Sequence, residues 1–284
     1  MSSMPTSRPD SIKTISVSEL NIYPIKSCKG TSLTEWATTL SGLVWDRQWL
    51  VVKEDGQFLT QRQIPAMAQI KPELAANGAD HSLVSMQLSA PGMPLLAFES
   101  TGLGKSRQVK VWNDTCTAID EGPEAAAWLS EYLQTSCGLV RFAPDFVRQV
   151  DQKFKRDDID QVGFADGFPF LLLSEQSLAD LNDRLEEKLP MNRFRPNIVV
   201  SGSGAFEEDD WKTIRIGEML FHVVKPCARC VITCTDQETL KVGPEPLRTL
   251  SLYRSQMNKI MFGQNLVPVG SGKIRLGDKL QVIS

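Results

Sequence analysis

Short alternations of apolar and polar residues, one after another, limit most strongly what this chain can fold into. Thr14 to Tyr23 sets Ile15, Val17, Leu20 and Ile22 among polar neighbours and stops at Pro24. Side chains on a strand point to opposite faces in turn, so the pattern reads as a strand with one buried face. Val44 to Val52 is a second apolar run, rich in aromatic residues. Glu54-Asp55-Gly56-Gln57 predicts a hairpin turn into Phe58-Leu59-Thr60, because Asp-Gly tolerates the positive φ that tight hairpins need. Ser82 to Ser89 alternates, and Gln108 to Ile119 reads as a further strand, broken near Asn113-Asp114. Asn197 to Ser201, Thr213 to Val224 and Lys273 to Ile283 return to the same pattern. Gly217-Glu218 and Gly277-Asp278 each put a Gly-acid pair between apolar runs, the chemistry of a hairpin turn.

Two segments predict helices. Pro123 to Gln134 carries Ala127, Trp128, Tyr132 and Leu133 roughly on one side. In Ser174 to Lys188, Leu178, Leu181 and Leu185 recur at helical spacing, Ser174 or Ser177 can cap the start, and Pro190 lies just beyond. Strand following strand, with so few helices between, predicts a mainly β protein with some α, built as a barrel or sandwich rather than from βαβ units.

The 284 residues suffice for one large domain or two of moderate size. Dense charge from Pro144 to Gln161 marks a domain boundary or an exposed loop. Met1 to Asp10 is polar and rich in Ser and Pro, which reads as a disordered tail rather than a signal peptide. No run reaches the roughly 18 apolar residues of a membrane span. The net charge of -3 gives no overall field toward nucleic acid or anionic membrane, although the sum can hide a basic patch. A chain of this size without a secretion signal is expected to keep its six cysteines reduced in a cytoplasm.

Three of those cysteines crowd into Lys225-Pro226-Cys227-Ala228-Arg229-Cys230-Val231-Ile232-Thr233-Cys234. A strand runs into Lys225-Pro226, which is expected to end regular pairing. Cations beside a thiol favour its anionic form, so such a sulfur is poised as a nucleophile, a redox thiol or a soft-metal ligand. Structural zinc wants more ligands than this segment and two histidines, His81 and His222, offer. A thioredoxin-like disulfide wants a βαβ setting. Burial as small core residues accounts for Cys116, Cys137 and Cys234. It does not account for Lys225 and Arg229 beside Cys227 and Cys230.

Other cations stand in comparable positions. Tyr23-Pro24-Ile25-Lys26-Ser27-Cys28-Lys29-Gly30 follows the first strand, Trp45-Asp46-Arg47-Gln48-Trp49 sets an Arg among aromatics, and Phe194-Arg195-Pro196-Asn197 enters a strand. Each can be an ordinary surface charge or ion pair. Gathered in one cleft, they would bind an anion with a planar polar body, Arg by bidentate contacts and Lys as a point charge.

The order Pro-Ile-Lys-Ser, Asp-Arg-Gln-Trp, Phe-Arg-Pro-Asn, Lys-Pro-Cys-Ala-Arg-Cys and then Phe262-Gly263-Gln264-Asn265 resembles the MOSC family, in particular its amidoxime-reducing branch. The resemblance runs from about Ile15 to Ile283. It implies a tail over 1–12, a MOSC N-terminal β-barrel-like domain over 13–145 and a MOSC β-barrel domain over 146–284. It further implies a molybdenum–molybdopterin cofactor with Cys230 as the metal's protein ligand, and Cys227 as a neighbour. Cofactor contacts would fall on Lys26, Ser27, Arg47, Arg195, Asn197, Arg229 and Asn265, with backbone groups from Ala228, Gly167 and Phe168. Asp166 could relay a proton, although Asp beside Gly is commonly a turn residue. The implied activity is oxygen-atom transfer that reduces hydroxylamines, N-hydroxylated bases and amidoximes. Some bacterial relatives carry a C-terminal iron–sulfur domain. This chain leaves no room for its four cysteines after the last strand. Electrons are therefore expected from a separate flavoprotein reductase, ferredoxin or cytochrome-type protein. Two rival readings stay open: a persulfide carrier using Cys230 as a nucleophile, and a carrier of the cofactor without turnover.

Overall fold

A computed structural model describes residues 14–77 and 83–284. The expected tail over 1–12, His81 and Ser82 lie outside the described residues. The first half contributes β1 (Ile15–Ile22), β2 (Thr31–Leu33), β3 (Glu35–Thr39), β4 (Gly42–Leu43), β5 (Trp49–Val52), β6 (Lys71–Asn77), β7 (Leu83–Ser89), β8 (Leu96–Ser100), β9 (Ser106–Val111), β10 (Asp114–Asp120), α1 (Pro123–Leu133) and β11 (Gly138–Phe142). The second half adds β12 (Phe170–Ser174), α2 (Glu175–Asn182), β13 (Ile198–Ser201), β14 (Thr213–Ile216), β15 (Met219–Ala228), α3 (Leu247–Ser251), β16 (Ser255–Gln256), β17 (Lys259–Val269), β18 (Gly272–Arg275) and β19 (Lys279–Val282). The architecture is mainly β, as the alternation predicts. Among the described residues, no helix is long and apolar enough to cross a membrane.

Seven strands close into a barrel in the order β12, β13, β1, β19, β14, β15 and β17, with β17 pairing back onto β12. The one parallel contact in that ring is β12 with β13. Parallel neighbours need a crossover connection, and α2 with the loop after it supplies one. The barrel is filled by Leu20, Leu172, Ile198, Ile214, Phe221 and Leu266, all fully buried. The Phe170 and Phe221 rings meet edge to face at 5.2 Å, a favoured aromatic geometry.

Beside the barrel, β5, β11, β10 and β9 form a four-stranded sheet, and β6, β7 and β8 form a three-stranded one. Helix α1 turns Ala125, Trp128, Leu129 and Leu133 inward, onto a second core that holds Trp49, Met67 and Leu139. The halves exchange strands. β1 pairs with β13 and β19 in the barrel, and β18 pairs with β3.

Several local expectations change. Regular strand begins only at Trp49, because Val44–Gln48 is a turn with Trp45 and Arg47 in left-handed conformation. The break near Asn113 is a true hairpin: β9 and β10 pair through Asp114 and Val111, and Trp112 at the tip has φ 57°. The predicted helix to Lys188 ends at Asn182. There the Asn182 side chain donates to Leu189 O at 3.0 Å and accepts from Leu189 N at 2.8 Å, folding the chain back on itself. Its start is as expected, with Ser174 Oγ accepting from Ser177 N at 3.0 Å. Gly217 does turn one hairpin, β14 into β15. Gly277 instead passes the chain from β18, paired with β3, to β19 in the barrel. The charged stretch over 144–161 is irregular and leads to the cleft described below.

Replacing Phe221 with Ala empties the middle of the barrel. It is expected to cost about 3–5 kcal/mol, read as a fall in the urea midpoint with little change in slope.

Candidate functional site

Strand β15 does not end at Pro226. Its ladder with β17 slips once between Val223 and Lys225 and again between Pro226 and Ala228, so Pro226 sits between two bulges opposite Gln264. Bulges tolerate proline and re-aim the residues that follow. Here they deliver Cys227, Ala228, Arg229 and Cys230 to the rim of an open cleft at the end of the barrel. Cys230 then starts a short 3-10 turn over Val231–Cys234. Arg193 braces this turn, donating to Thr233 O at 2.9 Å and Cys234 O at 3.1 Å.

The expected ligand and every expected cofactor contact line this cleft, whereas Lys225 lies outside the lining, over the Phe154 ring. Lys26 and Ser27 arrive from the segment after β1, Arg47 from the turn before β5, and Gly167 and Phe168 from the loop before β12. Arg195 and Asn197 precede β13, Ala228, Arg229 and Cys230 follow the bulges, and Asn265 lies on β17. A Cβ built on Gly167 meets nothing within 4 Å, so its backbone faces open space.

Asn197 is the brace at the floor. Buried, it accepts from Arg47 Nη1 at 3.0 Å and from Leu171 N at 3.2 Å, and donates to Asn21 O at 3.2 Å. Arg47 also pairs with Asp46 and donates to Arg195 O at 3.2 Å. The Arg47 and Arg195 guanidinium groups lie over the Tyr23 ring, at 4.3 and 4.2 Å from its centroid. Tyr23 donates to Pro196 O at 3.1 Å, and burial pushes its phenol up to about 12. Burial also pulls the Arg195 guanidinium down to about 10, which leaves it charged at neutral pH. Ser27, Arg47 and Arg195 all have positive φ, at 69°, 48° and 56°. A left-handed backbone costs a residue with a Cβ roughly 1–2 kcal/mol, and such strain concentrates at functional sites.

At the other wall, Lys26 Nζ donates to Phe164 O at 2.7 Å and to Asp166 Oδ1 at 2.5 Å. Arg148 holds the same loop through Gly163 O at 2.9 Å and Ala165 O at 2.6 Å. Burial lowers the pKa of Lys26, and Asp166 works against that shift. Protein crowding alone would raise Asp166. The charge and hydrogen bond of Lys26 outweigh it, with help from Trp112 and Arg62, and hold the carboxyl well below its ordinary range. Asp166 is therefore a partner that fixes Lys26, more than the plain turn residue its Gly neighbour suggests.

The two rim thiols have separate donors. Arg229 Nη1 lies 3.1 Å from Cys227 Sγ, and Arg62 Nη2 lies 3.1 Å from Cys230 Sγ. Cys28, Cys116, Cys137 and Cys234 are buried, and burial raises all four pKa values. Arg62 and Arg193 were not legible as site residues. Gln61-Arg62-Gln63 looks like an ordinary polar loop, and only its place just after the hairpin could have hinted otherwise.

The cleft sets Lys26, Arg47, Arg62, Arg193, Arg195 and Arg229 against the single carboxylate of Asp166 in its lining. Among the described residues, Arg195 Nη2 and Arg229 Nε are buried without a hydrogen-bond partner. Buried donors of this kind can be satisfied by a water, an ion or a bound ligand group. Cations, orphaned donors and a soft sulfur together fit a phosphorylated cofactor that carries a thiophilic metal.

Barrel, strained cationic cleft and rim thiol thus define a class: a β protein built to hold a large anion beside a cysteine. The chain belongs to the MOSC family, matching the MOSC N-terminal beta barrel domain over residues 14–136 and the MOSC domain over 160–281. It is 36% identical to mitochondrial amidoxime-reducing component 1 of Mus musculus, over 94% of this chain and 82% of that protein. It is 40% identical to mitochondrial amidoxime reducing component 2 of Bos taurus, over 84% of this chain and 72% of that one. A molybdenum cofactor sulfurase of Oryza sativa subsp. japonica shares 33% identity over 89% of this chain, which spans 32% of that larger protein.

The depressed Asp166 carboxyl has a defined pH signature. A folded pKa below the unfolded one gives stabilisation above the unfolded value, lost as pH falls through the folded value. The stability difference between the unaltered protein and Asp166→Asn should therefore stay constant from neutral pH to about 5 and shrink below about 4, as followed by urea titration at each pH.

Proposed function

We propose that this protein is a molybdenum-cofactor enzyme that reduces N-hydroxylated compounds with electrons from a separate electron-transfer protein. The observation that carries the reading is Cys230, half-buried on the rim of a cleft whose lining is cationic, in a chain similar to amidoxime-reducing components. The bound cofactor would supply a metal centre for oxygen-atom transfer and two-electron exchange, and the protein would bind and tune it.

The residues divide that work. Cys230 offers the thiolate ligand. Lys26, Arg47, Arg195 and Arg229 balance the negative charge of a phosphate and dithiolene, Arg through forked contacts. Ser27, Asn265 and the backbone of Gly167, Phe168 and Ala228 orient the ring system. Asn197 keeps Arg47 in place rather than serving as a lone contact, since its oxygen already accepts twice. Asp166 is a poor proton donor at neutral pH, because a general acid works best with a pKa near the working pH. Its part is to hold Lys26.

Hydroxylamines, N-hydroxylated bases and amidoximes are the substrates we infer. The inferred donor is a flavoprotein reductase, a ferredoxin or a cytochrome-type protein of the same compartment, which we take to be the cytoplasm.

The test is elemental analysis and N-hydroxy reduction by protein from a host that makes the cofactor. Molybdenum stoichiometric with the chain, and turnover with a chemical reductant, are expected. A persulfide mass shift on Cys230 without molybdenum would replace this reading with sulfur transfer. Cys230→Ser should abolish turnover while circular dichroism and melting stay near those of the unaltered protein. Arg195→Gln should lower the molybdenum retained on gel filtration, while turnover per bound molybdenum changes less.

A further inference from the structure

We propose that Arg62 is a positioning residue for the Cys230 sulfur, lent to the cleft by the first half of the chain. The inference rests on the reading of Cys230 as a ligand and adds a residue to it. Arg62 lies just after the Phe58–Thr60 segment, far in sequence from Cys230, yet its Nη2 sits 3.1 Å from Cys230 Sγ. That geometry gives the sulfur a charged donor.

The guanidinium is held on more than one side. It lies over the Trp112 ring at 4.6 Å from the centroid, a cation–π contact. Arg62 Nη2 also stands 3.9 Å from Asp166 Oδ2. Trp112 in turn donates from Nε1 to Asp166 Oδ1 at 3.0 Å, and its ring meets Phe58 edge on at 5.2 Å. Trp112 is presented from the left-handed tip of the β9–β10 hairpin. Ring and carboxylate thus fix the arginine, and the arginine fixes where the sulfur points.

The lining offers a built-in comparison. Cys227 has its own donor, Arg229, on its own strand. Of these two rim thiols, Cys230 takes its charged donor from the other half of the molecule. In metal sites, such donors to a ligating sulfur set its orientation and shift the metal's redox potential. Arg62 therefore couples the packing of the first half to the electronic character of the centre, without itself touching the reacting atoms.

Two measurements on the full-length protein test this. The first uses cofactor-free protein and compares alkylation of each thiol by iodoacetate and by iodoacetamide, read by peptide mass spectrometry. The two reagents are alike in size and differ in charge, so their rate ratio reports the cation beside the sulfur and cancels thiol ionisation. Arg62→Gln should lower that ratio about fivefold at Cys230 and leave it unchanged at Cys227, while Arg62→Lys should keep much of it. An unchanged ratio at Cys230 in Arg62→Gln overturns the proposal, whatever the cofactor content of the protein. The second measurement uses the molybdenum-loaded form. Arg62→Gln that still retains metal should show a shifted Mo(V) paramagnetic resonance spectrum and a lower midpoint potential, partly restored in Arg62→Lys. Spectra and potential identical to those of the unaltered protein would equally overturn it. Absence of molybdenum from the unaltered protein would defeat the functional reading instead, and the alkylation ratio would still decide the Arg62 assignment.

Discussion

The pairing of β17 with β12 closes the barrel, and the cleft exists because of that closure. Leu171 pairs with Asn265 across this seam, and Asn265 in turn donates to Lys225 O at 3.1 Å on β15. The same seam brings β12 beside β13, so Asn197 can accept from Leu171 N and still reach Arg47. Each strand of the ring has a paired neighbour on both sides, and the charged side chains gather at its mouth. Six cations can gather there because each is tied down by a carbonyl, a ring, a carboxylate or a thiol.

Much of this architecture was readable from the residues. Alternation located β1, β7, β9, β10, β13, β14, β15, β18 and β19, and Asp-Gly and Gly-acid pairs located turns, because positive φ and period-two burial leave local marks. β12 and β17, which close the barrel, were not legible as strands. Helix α1 was readable from helical spacing, although its buried face is Ala125, Trp128, Leu129 and Leu133, with the expected Ala127 exposed and Tyr132 only half-buried. The end of α2 was not, since it depends on one Asn182 side chain catching Leu189 across a loop. Nor was the path of β15 through Pro226, because a pair of bulges is a property of two strands together.

The cleft divides along the same line. Motif residues such as Lys26, Arg47, Arg195 and Cys230 could be picked out in sequence, and the fold brings them together. Their left-handed backbones could not be foreseen, as neither Arg47 nor Arg195 is a residue type that favours positive φ. Arg62 escaped notice because its meaning comes from a ring fifty residues onward and a sulfur in the other half. Long-range partners of this kind leave no periodic trace.

The exchange of strands between the halves bears on how the molecule assembles. β1 is made first, yet its barrel neighbours β13 and β19 come from the second half, and β3 waits for β18. As the chain emerges from a ribosome, β1 has only β2 and β3 only β4 to pair with until the closing strands appear. Contacts that span nearly the whole chain slow folding, since a long loop must close before any of them can form. Maturation of this protein is thus governed from its far end.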